Sequence, residues 1–123
     1  MSEGDASALG KAGEAAARKK LEALGYQILQ KNYRCRMGEI DLVARQDGEL
    51  VFIEVKTRRQ RETGSPAEFV HKDKQRRMAR TALAYMGEHD LLDEHSRFDV
   101  VSVWGQELGH LRVDVIRSAF VVE

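Results

Sequence analysis

A chain of 123 residues is the length of one compact domain, and 42% apolar residues suffice for a core. Twenty basic and 20 acidic side chains cancel to a formal net charge of zero, which argues against blanket polyanion binding and leaves room for local patches. The single cysteine, Cys35, excludes an internal disulfide, and no Cys/His cluster has the spacing of a zinc site.

The chain opens on no secretory pattern, and no apolar run approaches the roughly 18 residues of a membrane span, so a cytosolic protein without membrane contact is expected. The first eight positions are small and polar and are expected to be disordered, leaving a single domain over 9–123. Leu9, Gly13, Ala16, Ala17, Leu21 and Leu24 recur at steps of three and four, which predicts a helix with Gly25 at its C-terminal cap. Glu14, near the start of that helix, can complement the macrodipole or serve as a carboxylate leaning over a sheet. Tyr26 to Arg34 reads as a first strand. Arg34 and Arg36 beyond its centre suit either phosphate contact or a solvated strand end, and Cys35 reads as a small half-buried residue.

The stretch from Gly38 to Thr57 reads as two strands joined by Asp47-Gly48, a pair in which both residues can take positive φ and the strongest short-range hairpin signal. A two-residue loop pairs Gln46 with Glu49 and therefore sets Asp41 opposite Glu54, with Lys56 two residues further along the same face. The other face carries Ile40, Leu42, Ala44, Val51, Ile53 and Val55 and is expected to be core. Opposed carboxylates repel, so such a pair calls for a shared proton or a divalent cation held between the two groups. Asp, Glu and Lys converging on a metal ion are the equipment of phosphodiester hydrolysis; a surface ion-pair cluster is the plainer reading.

From Lys56 to Arg80 nine basic residues stand against three acidic ones, so charge is segregated within the neutral chain. That pattern fits a surface tracking phosphates, and equally a solvated loop and helix face. Ser65-Pro66-Ala67-Glu68 is a capping box, predicting a helix to about Glu88 with a break near His71 and an apolar stripe of Met78, Ala82, Tyr85 and Met86. Lys74 extends that stripe at its N-terminal end, where it can turn toward the sheet. Arg97 to Trp104 and His110 to Ile116 read as strands, and Ala119 to Val122 as an apolar tail that packs back. Asp99 is expected to be satisfied by a neighbouring arginine, and the four histidines to be surface or capping residues.

Gly13-Glu14, Asn32-Tyr33-Arg34, Gly38-Glu39-Ile40-Asp41-Leu42, Phe52-Ile53-Glu54-Val55-Lys56-Thr57-Arg58, Lys74, Ala82-Leu83-Ala84-Tyr85 and Arg97-Phe98-Asp99-Val100-Val101 together resemble the YraN family of small bacterial proteins. The family is similar to archaeal Holliday-junction resolvases and to the PD-(D/E)XK nuclease-like proteins. The resemblance implies an α/β, three-layer restriction-endonuclease-like domain with an αβββαβ core, its mixed sheet flanked by helices. It also implies Mg²⁺ (or Mn²⁺) as cofactor and DNA as partner. It assigns Asp41 and Glu54 as metal ligands, Lys56 as catalytic lysine and Glu14 as the helix carboxylate. Ile40 stands where the superfamily often has proline before the aspartate, which removes no ligand.

The expectation is a metal-dependent endonuclease acting on structured or branched DNA. The carbonyl of Val55 would join the metal ligands, and Arg34, Arg58, Arg59, Lys72, Lys74 and Arg77 would hold the phosphate backbone. A two-fold junction as substrate would favour a homodimer. The alternative is a nucleic-acid-binding protein with a vestigial site.

Overall fold

A computed structural model describes residues 3–61, 63, 64 and 66–122. Helix α1 (Glu3–Ala23) is followed by strands β1 (Gln27–Cys35), β2 (Gly38–Gln46) and β3 (Glu49–Arg58), a 3-10 turn (Pro66–Phe69), helix α2 (Lys72–Glu88), and strands β4 (Ser96–Trp104) and β5 (Arg112–Phe120). The five strands form one sheet in the order β1-β2-β3-β4-β5. All neighbours are antiparallel except β3 and β4, which are parallel. Parallel neighbours need a crossover, and the 3-10 turn with α2 supplies it.

Helix α1 begins at Glu3, ahead of the periodic residues, so most of the segment expected to be disordered continues the helix. That segment contains no proline to stop propagation. Its C-terminus is a Schellman motif: Tyr26 N–H donates to the Leu21 carbonyl at 3.0 Å and Gly25 N–H to that of Glu22 at 3.1 Å, with Gly25 at φ 91°. Leu21 and Tyr26 then share one apolar cluster. Leu24, expected on the buried stripe, is 48% exposed because the chain is already turning there.

The sheet is buried on both faces. Ala17 and Leu21 of α1 pack on Leu42, Ala44, Val51, Ile53, Val101 and Val103. On the opposite face Ala82, Tyr85 and Met86 of α2 pack on Tyr33, Val43, Leu50 and Phe52. Leu50 through Ile53 are therefore fully buried as a continuous apolar run, as expected of a strand with a parallel neighbour and helices on both sides. Ile40 departs from the expected face and packs with Tyr33 under α2. The β1–β2 register skips Asn32 and Asp41 at this point, and Asn32 takes φ 52°.

Gly13 lets α1 lie directly on the sheet, since a Cβ there would come within 2.2 Å of Thr57 Oγ1. Helix α2 starts after His71, at the expected break, and buries Met78, Ala82, Tyr85 and Met86 as expected. Ser65 of the capping box lies outside the described residues. Strand β5 extends to Phe120, so Ala119 and Phe120, expected in a tail, finish the strand and are buried. The buried pair Arg97 and Asp99 links β4 to its surroundings. Asp99 accepts from Tyr26 Oη (2.7 Å), Arg97 Nε (3.1 Å) and Ser118 N–H (2.9 Å), and Arg97 also donates to Glu49. Asp99 is thus satisfied by a neighbouring arginine, as expected.

Candidate functional site

The hairpin register follows the two-residue loop. Asp47 and Gly48 take φ of 52° and 77°, and pairing runs from Gln46↔Glu49 to Leu42↔Ile53. The ladder ends there; one step further the Asp41 and Glu54 side chains are in contact, and the Val55 amide donates at 2.8 Å to Asp41 Oδ2. The Asp41 carboxylate is thereby held at the strand edge, in hydrogen-bond contact with Glu54. Glu54 itself is buried.

Burial pushes the Asp41 carboxyl up to about 7, reinforced by the hydrogen bond and charge of Glu54 and opposed by the Val55 amide and by Lys74. The sequence-derived repulsion is real, and in the absence of another cation a proton relieves it near neutral pH.

The pair opens into a cleft of about 380 Å³ lined by Gly38, Glu39, Val55, Lys74, Arg77 and Met78 besides the two carboxylates. Lys74 and Arg77 come from the first turns of α2, three residues apart, and Lys74 Nζ forms an ion pair with Glu54 Oε2. Lys56 lies on the Glu54 face of β3, as the alternation requires. Its ammonium, however, donates to the Phe69 carbonyl of the 3-10 turn.

The other expected site residues are dispersed. Glu14 follows Gly13 on α1, the helix covering the opposite face of the sheet. Among the described residues no group of three or more His, Cys, Asp or Glu side chains is placed to share a metal ion, so Glu14 does not join Asp41 and Glu54. Arg34 pairs with Glu39 at 3.3 Å on the rim. Arg58 donates to the Thr57 carbonyl, and Arg59 exchanges hydrogen bonds with Gln106 of the β4–β5 loop. Lys72 lines a separate groove with Gln75 and Phe120. The cleft thus gathers Asp41, Glu54, Val55, Lys74 and Arg77 of the expected set. It adds Glu39, to which sequence reasoning gave no role, although its position two before Asp41 in β2 was a signal for it.

A mixed five-stranded sheet between two helices, with a carboxylate pair at the point where two of its strands part, defines an α/β protein with a polar cleft under α2. Residues 13–103 match the profile described as "Uncharacterised protein family UPF0102". A UPF0102 protein of Moorella thermoacetica is 47% identical over 112 residues, 90% of this chain and 93% of that protein. Another, from Symbiobacterium thermophilum, is 49% identical over 112 residues, 91% and 95% of the two chains. One from Frankia alni is 46% identical over 113 residues, 92% and 94%. The chain belongs to the UPF0102 family, whose members are YraN-like, as the sequence motifs implied. No described helix is long and apolar enough to cross a membrane.

Proposed function

We propose that this chain is a divalent-metal-dependent nuclease of restriction-endonuclease-like fold, hydrolysing phosphodiester bonds of DNA. The observation that carries the reading is the Asp41–Glu54 pair, two carboxyl groups in contact inside a cleft whose other wall presents Lys74 and Arg77.

The donor set fits Mg²⁺ or Mn²⁺. Both ions prefer hard oxygen ligands, and a carboxyl pair that takes up a proton near neutral pH to relieve its repulsion is equally relieved by a cation. Asp41 and Glu54 would hold the ion, with the Val55 carbonyl as a further oxygen donor. Bound there, the ion supplies a polarised phosphoryl oxygen and a more acidic water.

The protein's own contributions are positional. The Val55 amide holds the Asp41 carboxylate in one orientation, and burial of Glu54 keeps its carboxylate from swinging into solvent. Arg77 and Lys74 place positive charge on the α2 wall, where a phosphate entering the cleft would be compensated. Lys56 ties the 3-10 turn to β3 and so shapes one end of the site.

Incubation of duplex, flap and four-way-junction DNA with Mg²⁺ or Mn²⁺ tests the proposal. Cleavage is expected for wild type, abolished by EDTA and by Glu54→Gln. Cleavage that persists in EDTA, or in both Glu54→Gln and Asp41→Asn, would refute the site. Binding without cleavage is the second reading, favoured by the engagement of Lys56 with a backbone carbonyl. It predicts salt-dependent DNA affinity indifferent to metal and to Glu54→Gln.

A further inference from the structure

We propose that Lys74 is a built-in counter-cation of the carboxylate pair: it gives up Glu54 when a divalent ion binds and then turns to the nucleic-acid phosphate, taking the place expected of Lys56. The inference deepens the metal-dependent reading above and rests on it.

The geometry separates the two lysines. Lys56 shares the Glu54 face of β3, but its ammonium is donated to the Phe69 carbonyl, outside the residues that line the cleft. Lys74 reaches the same carboxylate from α2 and contacts Glu54 Oε2. It is 44% exposed at the mouth of the cleft, whereas Glu54 is 8% exposed at its floor. The lysine therefore bridges the floor of the site and solvent.

An ammonium ion and a divalent cation within the same few ångströms repel, and both cannot be satisfied by one buried carboxylate. A divalent ion held by Asp41 and Glu54 neutralises both, which removes the attraction that keeps Lys74 on Oε2. The released ammonium remains anchored by its helix beside Arg77, three residues away on the same wall. An incoming phosphate then meets two cations instead of one. Phosphate capture is in this way coupled to metal loading: without the ion Lys74 is engaged internally, and with it Lys74 is available.

The test measures Mn²⁺ affinity by electron paramagnetic resonance on the full chain, for wild type, Lys74→Met, Lys74→Gln, Lys56→Met and Glu54→Gln. Affinity for a short DNA duplex, with and without Ca²⁺, is measured in parallel. Both Lys74 substitutions are expected to tighten Mn²⁺ about tenfold, because a competing cation is gone, and Lys56→Met to leave it within about twofold. Lys74→Met is expected to weaken duplex binding about tenfold with Ca²⁺ present and to leave it unchanged without. Two Lys74 variants at a half-exposed position, each checked by thermal melting, guard against a folding artefact. Unchanged or weaker Mn²⁺ binding in both Lys74 variants, or an equal loss of duplex affinity with and without Ca²⁺, overturns the role of Lys74 and leaves the metal site standing. A wild type that binds no Mn²⁺, or a Glu54→Gln chain that binds it as well as wild type, overturns the site itself and this inference with it.

Discussion

Replacing Asp41 by asparagine should stabilise the metal-free protein above neutral pH, an unusual direction for the loss of a charged group in a polar cleft. The Asp41 carboxyl rises from 3.8 to about 7 in the folded state, chiefly through burial and contact with Glu54. A carboxyl that holds its proton more tightly when folded contributes stability in full below its unfolded value. That contribution is lost as pH rises through about 7. The ceiling of the effect is ~4 kcal/mol. Solvent at the cleft mouth and the neighbouring Lys74 reduce it to ~1–3 kcal/mol. Asparagine is isosteric with the protonated acid: its oxygen can accept from Val55 N–H and its amide can donate to Glu54. Urea denaturation in EDTA at pH 4, 6 and 8 should therefore show Asp41→Asn and wild type within ~0.5 kcal/mol at pH 4, with the variant ahead by ~1–3 kcal/mol at pH 8. Mn²⁺ should close the gap by stabilising wild type alone. A gap that is absent at pH 8, or that favours wild type there, would mean that the two carboxylates do not repel and that Lys74 alone compensates both.

Three further expectations concern the frame around the site. Gly13→Ala places a Cβ against Thr57 Oγ1, so it should cost about 1–3 kcal/mol by urea denaturation, and part of the loss should return in a Thr57→Ala background; equal losses in both backgrounds would locate the strain elsewhere. Arg97→Met leaves the fully buried Asp99 without its cation and should cost about 3–5 kcal/mol, whereas a shift below ~1 kcal/mol would show that Tyr26 and Ser118 suffice. Tyr33→Phe removes the 2.8 Å bond to Glu88 that joins β1 to the end of α2, and its expected cost is about 0.5–1.5 kcal/mol with no change in Mn²⁺ affinity.

Much of the frame was legible because its signals are local. The Asp47-Gly48 turn, the hairpin register beside it and the cap at Gly25 depend on residues within a few positions of one another, and each appears as read. The Met78, Ala82, Tyr85 and Met86 stripe is likewise a property of one helix. Ile40 departs from the alternation because alternation assumes an uninterrupted ladder, and the β1–β2 ladder lacks an Asn32–Asp41 pair. The resemblance groups Glu14 with the carboxylates, whereas α1 packs on the other face of the sheet. Of the expected phosphate contacts, Lys74 and Arg77 line the cleft. Arg58, Arg59 and Lys72 follow the ends of their own elements elsewhere.

The sequence by itself determined that Asp41 and Glu54 would meet, because the two-residue Asp47-Gly48 turn leaves one register for the hairpin, running from Gln46↔Glu49 to Leu42↔Ile53, one step short of the pair. The tertiary structure decided what surrounds them. Docking of α2 across the β3–β4 crossover brings Lys74 to Glu54, and the 3-10 turn draws Lys56 to Phe69. Both lysines carry long, rotatable chains whose destinations depend on contacts 13 to 20 positions away in sequence. Spacing along one strand can show that a lysine shares a face with a carboxylate. Only the packing of the second helix decides which lysine reaches it.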